Sequence, residues 1–303
     1  MTSRSARLKE LITAPELLVM PGAFDPMSAR LIELAGFDAV QCSGLGMSAF
    51  HLGMPDYSIL SLSDMVALSG RIATSVSLPV MGDADTGFGN AVNVHFAIRE
   101  FENAGLAGVN LEDQVMPKRC GHLDGKQVID YDEAVVKVRA AADARRDPDF
   151  VINARTDALA VEGMDGVIRR GNAYLEAGAT MIFVEGITSR EEIRAAVAGI
   201  DGPVAINIVE GGKSPERLSF AELERLGVAR VSLPGVLIAS ALGGMREALA
   251  RVRKDGGTGN LADISVSFAE IHELAGMNEV RELEKRYLGE LAAKRPTRTA
   301  GAH

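Results

Sequence analysis

ELAGFDAV, residues 33–40, ends an apolar-periodic helical pattern on a glycine and opens a β-rich run two or three residues later. The phrase returns three times, as ENAGLAGVN (102–110), LEAGATMIF (175–183) and ERLGVARVS (224–232). Glycine suits the left-handed cap that ends a helix, because a Cβ would strain that backbone conformation. Helix into parallel strand is therefore the repeated unit. Helix starts are marked too, by Asp25 before Pro26, by Asn90 before AVNVHFAIREF, and by the capping boxes Ser189 to Glu192 and Ser219 to Glu222.

Between those helices lie eight apolar runs: LLVMPGAF (17–24), FDAVQCSG (37–44), LPVMGDADTG (78–87), LAGVNLED (106–113), FVINARTD (150–157), MIFVEG (181–186), PVAINIVEGG (203–212) and ARVSLPG (229–235). Strands and helices alternate throughout. Eight such units in roughly 220 residues predict an α/β fold, a closed (β/α)8 TIM barrel, rather than an open doubly wound sheet. No G-x-G-x-x-G follows the first strand, as a dinucleotide-binding sheet would require. After residue 254 comes KDGGTGN and two further helical patterns, SVSFAEIHELAG and MNEVRELEKRYLGELAAK, which a barrel does not need. Residues 1–255 are thus expected to form the barrel, and residues 256–303 a helical arm that packs on it or on another subunit.

Of the 303 residues 47% are hydrophobic, enough for a large core. No charge-free apolar run approaches a membrane span, and MTSRSARLKEL lacks the apolar centre of a secretory signal, so the expectation is a cytoplasmic protein without a membrane partner. Two cysteines argue against a disulfide framework. With 41 acidic and 32 basic residues the net charge is -9, which disfavours nucleic acid. An anionic substrate then needs a metal or local arginines.

In a barrel of this kind the carboxyl ends of the strands form the active face. Those ends carry Ser43 and Gly44, Asp83 and Asp85, Glu112 and Asp113, Asn153, Arg155 and Asp157, Glu185, and Asn207 and Glu210. Packing requires far fewer polar groups, so one end of the barrel reads as a polar cup. Asp83 and Asp85, two apart, can face the same side, and with Glu112 make an oxygen-rich, sulfur-free set suited to Mg2+ or Mn2+. The alternative is that Asp83 caps a turn and Asp85 bonds backbone amides. The 17 or so residues after Asp113 are too many for an ordinary connection and read as a lid. Near its centre Cys120 is flanked by Lys118, Arg119 and His122, cations that lower a thiol's pKa. Cys42, in an apolar strand, reads as core. His51, His95 and His272 read as structural or surface histidines. Arg155 needs an anion at the barrel mouth, either a substrate carboxylate or the side chains of Asp157 or Glu185.

The pieces SGLGMS (43–48), LGMPD (52–56), DADTGFGN (83–90), NLEDQVMPKRCGH (110–122), INARTDA (152–158), FVEG (183–186) and NIVEGGKSP (207–215) resemble the isocitrate lyase and phosphoenolpyruvate mutase superfamily. They occur in family order over about residues 20–235, and the KRCGH loop resembles the methylisocitrate lyase and dimethylmalate lyase branch. The resemblance implies Asp85 as direct metal ligand, with Asp83, Asp56 and Glu112 acting through water. It implies Ser43, Gly44 and Leu45 around the oxo-acid half of the substrate, Arg155 clamping that half, and Glu185, Asn207 and Glu210 completing the cup. Cys120 matches the catalytic acid, with Lys118, Gly121 and His122 in the same loop. It further implies a homotetramer in which the last helix is exchanged between subunits.

The chemistry so implied is Mg2+- or Mn2+-dependent cleavage of a carbon–carbon bond in a 2-hydroxy di- or tricarboxylate, releasing an oxo acid. The run after the eighth strand, LPGVLIASAL (233–242), has no cation where the methylisocitrate lyases have an arginine, and Leu45 narrows the cup where that branch tends to have glycine. An apolar wall leaves a third carboxylate unpaired, so a dimethylmalate-type substrate is expected over methylisocitrate. The alternatives are a methylisocitrate lyase, an oxaloacetate hydrolase or decarboxylase, a phosphonomutase, and a non-catalytic ligand-binding barrel.

Overall fold

Eight parallel strands close on themselves in chain order: β1 (Leu18–Ala23), β2 (Val40–Cys42), β3 (Val80–Asp83), β4 (Gly108–Glu112), β5 (Val151–Thr156), β6 (Met181–Val184), β7 (Val204–Asn207) and β8 (Arg230–Leu233), the last pairing with β1. The computed structural model describes residues 2–294 except 120, 122–124, 210–211, 213 and 216–217, and of residues 290–294 only the backbone. A leading helix, α1 (Arg4–Thr13), precedes the barrel, and α2 (Pro26–Leu34) follows β1. After β2 come a short α3 (Gly44–Met47), a π-helical turn over Ser48–Leu52 and α4 (Leu62–Ser75). The remaining connections are α5 (Ala91–Asn103), α6 (Tyr131–Ala144), α7 (Leu159–Glu176), α8 (Arg190–Gly199) and α9 (Phe220–Arg225). Then follow α10 (Val236–Asp255), α11 (Phe268–Leu274) and α12 (Met277–Lys294).

The local signals act as expected. Capping boxes form at Asp25, Asn90, Ser189 and Ser219. The four repeated glycines, Gly36, Gly105, Gly178 and Gly227, take φ of 83°, 86°, 105° and 84°. Two further helices, α1 and α3, are capped by Ser3 and Ser43, whose hydroxyls accept from the Ala6 and Gly46 amides. In α1, Leu8 and Ile12 are buried with Leu18, Met20, Ala39, Met81, Ala107, Val151, Met181 and Ala205, so this helix seals one end of the barrel interior. Two further apolar clusters fill the space between strands and helices, one centred on α2, α4 and α5 and one on α7 to α9.

The chain divides into two compact units, Met1–Leu242 and Gly243–His303. The division falls inside α10, earlier than the boundary at residues 255/256 that the GGTGN run suggests. Within the second unit Phe268, Ile271, Val280, Leu283, Tyr287 and Leu288 are exposed. No helix among the described residues is long and apolar enough to cross a membrane.

Candidate active site

The site is built on the carboxyl ends of the strands. A cavity of about 250 Å³ lies there, lined by Ser43, Gly44 and Leu45 after β2, Asp56, Asp83 of β3, Asn110 of β4, Lys118 and Gly121 of the β4–α6 loop, Arg155 of β5, Glu185 after β6 and Asn207 of β7, with Gln41, Phe183, Val209, Ser232 and Pro234 among the rest of its wall. Every site residue expected from the sequence that is described therefore lies in one place, with Asp85 and Glu112 packed just behind the wall. Cys120, His122 and Glu210 lie outside the described residues.

β3 ends at Asp83, and Asp85 is already in the turn, with φ of 45°. A left-handed aspartate is a strained backbone, and such strain clusters where a side chain must be aimed. Asp83 Oδ1 accepts from the Asp85 amide at 3.1 Å, so the turn-capping alternative is realised for Asp83. Its other oxygen meets Gly44, where a Cβ would run into the carboxylate. Gly44 is thus required by close approach.

Lys118 is central. Its Nζ lies 2.8 Å from Asp56 Oδ1 and 2.9 Å from Asp85 Oδ1, and the side chain is 2% exposed. Burial disfavours the ammonium, but Asp85, Asp56, Glu112 and Asp83 outweigh it and hold the lysine well above its usual pKa. Burial also pushes Asp85 up to about 6; Lys118 opposes that shift, whereas Asp83 and Asp56 add to it. Glu112 is raised well above the ordinary carboxylate range, mainly by burial, against the pull of Arg155 and Lys118. Its Oε1 is buried with no hydrogen-bond partner.

Arg155 makes both internal contacts considered from the sequence, and a third. Nε lies 2.9 Å from Asp157 Oδ2 and 3.2 Å from Glu112 Oε2, and Nη1 lies 3.3 Å from Glu185 Oε2. Asn207 Nδ2 donates to Glu185 at 3.2 Å, tying β7 to the same group. Behind them Asp113 accepts from the Asp157 amide, the Thr156 hydroxyl and the Tyr174 hydroxyl at 2.7–2.9 Å, which fixes the end of β5.

The β4–α6 segment is pinned on both limbs. Its neck is closed by Val115 N to Gln127 O and Ile129 N to Asp113 O, each 2.9 Å, beside the antiparallel bridge between Gln114 and Val128. One limb delivers Lys118 to the acids. The other delivers Lys126, whose Nζ lies 2.7 Å from Asp157 Oδ1 with both side chains buried. Gly121 rests directly on Glu185 and Arg155, leaving no space for a Cβ. Lys126 carried no sequence signal, since an irregular loop offers no periodicity to read. Gln41 does carry one, a polar residue inside the apolar run FDAVQCSG. Cys42 is buried with its thiol pushed up to about 12, chiefly by burial, as a core cysteine should be. His51 Nε2 pairs with the Phe24 carbonyl at 3.3 Å, while His95 and His272 meet Phe96 and Phe268 edge to face.

The donors suit a hard cation. All are oxygens, Glu112 Oε1 is unpartnered, and the cup already holds one positive charge, the Lys118 ammonium, between Asp56 and Asp85. A preassembled ligand group of three or more is not formed among the described residues, so Asp83, Asp85 and Glu112 would have to converge on an ion.

A closed parallel barrel with a lidded, charged cup at the carboxyl ends of its strands defines a (β/α)8-barrel enzyme. The chain belongs to the phosphoenolpyruvate phosphomutase family, whose pattern it matches over residues 8–253. It is 44% identical to a 2,3-dimethylmalate lyase of Eubacterium barkeri over 93% of this chain and 98% of that one. To a probable 2-methylisocitrate lyase of Corynebacterium glutamicum it is 41% identical over 94% and 92% of the two chains. A phosphonopyruvate hydrolase, solved as a complex with oxalate and Mg++, superposes with a TM-score of 0.86 at 36% identity, covering 94% of this chain and 99% of that one. A carbon–carbon lyase is the activity class that the lyase relatives support.

Proposed function

We propose that the cup cleaves a small 2-hydroxy dicarboxylate of the dimethylmalate type, with Mg2+ or Mn2+, into an oxo acid such as pyruvate and a carboxylic acid. The observation that carries this reading is the way one loop closes one cavity: Lys118 reaches Asp56 and Asp85 while Gly121 rests on Arg155 and Glu185. Asp85 would hold the cation directly, with Asp83, Asp56 and Glu112 around it. When bound, the cation supplies positive charge that lowers the cost of an oxyanion in the cup.

Arg155 and the Ser43–Gly44–Leu45 backbone hold the oxo-acid half. Glu112, whose affinity for a proton is raised by burial, takes the substrate hydroxyl proton. The electron pair left on oxygen forms the carbonyl as the adjacent carbon–carbon bond breaks, and the bonding pair passes to the leaving carbon as an enediolate. Cys120, in the lid with His122, gives that carbon a proton, and the closed lid keeps water from quenching it first. Glu185, Asn207 and Glu210 complete the wall.

The charge and polarity of the cavity wall support the smaller substrate. Among the described residues the cations lining the cavity are Lys118 and Arg155, and both are engaged by the protein's own carboxylates. Leu45, Val209 and Pro234 give the rest of the wall an apolar character that suits a methyl group better than a third carboxylate. Oxo-acid release should be assayed across dimethylmalate, methylmalate, methylisocitrate, isocitrate, oxaloacetate and phosphonopyruvate. Fast cleavage of methylisocitrate with the dicarboxylates inert would overturn this reading of the wall. The proposed enzyme is a cytoplasmic homotetramer with exchanged C-terminal helices; the exposed apolar residues of the arm, such as Phe268 and Leu283, support its packing on another subunit, and an unchanged mass by light scattering after deleting residues 256–303 would sink that assembly.

A further inference from the structure

Directly beneath the cup, Arg230 of β8 is 0% exposed and lies inside the barrel. Its partners are a sulfur, Met20 Sδ at 3.2 Å from Nε, and an amide oxygen, Gln41 Oε1, to which Nη2 donates. The guanidinium also lies 5.7 Å from the Phe183 ring centroid. Nη1 is buried with no partner, and no carboxylate pairs with this arginine among the described residues. Burial alone pulls its pKa down, to about 9, with no charge to oppose it. The contrast with Lys118 and Arg155 is sharp, because each of those is ringed by carboxylates.

An unpaired buried cation costs the fold several kcal/mol by general experience, and an apolar side chain of similar size removes the cost. The packing around Arg230 offers no return for it. Two of its neighbours, Gln41 and Phe183, line the cavity. Gln41 is oriented by the arginine on one side and by the Cys42 carbonyl, 2.9 Å from Nε2, on the other. Phe183 carries Arg155 on its ring as well, at 5.4 Å. The positive charge therefore reaches the cavity floor through one amide and one ring, and through no bulk water.

We propose that Arg230 is a positioning and specificity residue of the cup, whose missing counter-charge is the bound oxo-acid dianion. This rests on the lyase reading, in which a carboxylate beside an oxygen that gains charge sits over that floor. A positive charge fixed in a buried layer stabilises such an anion without moving during the reaction. The residue also biases the site toward dianionic over neutral ligands.

The test uses the intact enzyme with Mg2+ and oxalate, a planar dianion, as probe. Calorimetry on wild type, Arg230→Met and Arg230→Lys gives affinity, and thermal melting gives stability. Arg230→Met is expected to bind oxalate weaker by on the order of tenfold, while melting at the same temperature or higher, because an unpaired charge has been removed. Arg230→Lys, which keeps the charge and loses the fork to Gln41, should recover affinity to within about threefold of wild type. A methionine variant with unchanged oxalate affinity overturns the inference, and so does one that melts well below wild type or fails to fold, since either makes Arg230 a residue of the fold. Oxalate binding by wild type with no difference in the variants leaves the lyase reading standing and removes this one; absence of oxalate binding by wild type removes both.

Discussion

The two ends of the same eight strands obey different rules. At the sealed end α1 presses Leu8 and Ile12 onto methionine, alanine and valine, a layer held by apolar packing. At the open end Lys118, Asp85, Glu112 and Glu185 are buried and Arg155 is mostly so, and they are joined by ion pairs. Apolar packing stabilises in proportion to area, whereas buried charge is at best a balanced exchange of hydration for pairing. The closed end is therefore where stability is made, and the open end where it is held back for chemistry.

That contrast is sharpest at Lys118. Lys118→Met should lower kcat/KM by roughly a hundred- to ten-thousandfold, the range seen when a positioned charge is lost, and should also lower the melting temperature, because Asp56 and Asp85 lose their buried partner. A large fall in melting temperature with retained turnover would reverse the assignment of ends. Cys120→Ser is expected to fold normally and lose at least roughly a hundredfold in turnover; near-normal activity would favour a hydrolase or mutase using the same cup.

The mirror experiment lies at the sealed end. Leu8→Ala should destabilise by about 2–5 kcal/mol, read from denaturant unfolding, and leave kcat unchanged at temperatures where the protein is folded. A drop in kcat without a drop in stability would mean that α1 communicates with the mouth.

A pH series tests the mouth alone. Asp85 is pushed up to about 6, so below that pH a proton competes for the oxygen that a cation needs. Mg2+ affinity by calorimetry should be flat above about pH 7 and fall by roughly tenfold per unit well below pH 6. A flat profile down to pH 5 would remove Asp85 from the ligand set. The smallest effect belongs to the Lys9–Asp149 pair at 2.9 Å beside α1, with both side chains more than a third exposed. Lys9→Ala should cost at most about 1 kcal/mol, because solvent screens such pairs.

Much of this was legible in the residues themselves. Gly36, Gly105, Gly178 and Gly227 take left-handed φ, and the serine and asparagine caps bond where their spacing says they should. Helix ends, strand alternation and the polar character of the strand ends are local properties, set by a few neighbouring residues and their periodicity. They determined the barrel, the end that carries the candidate site and the loop whose described residues line it. What the sequence could not decide is which charge meets which. Lys118 finds Asp56 from 62 residues away, and Arg155 divides itself among Glu112, Asp157 and Glu185. Only Asp157, two residues on from Arg155, has a spacing to read; the other pairings depend on barrel closure bringing separate strand ends within 3 Å or so. The same holds for Arg230, an ordinary letter in ARVSLPG until β8 closes on β1 and leaves it without a counter-charge among the described residues.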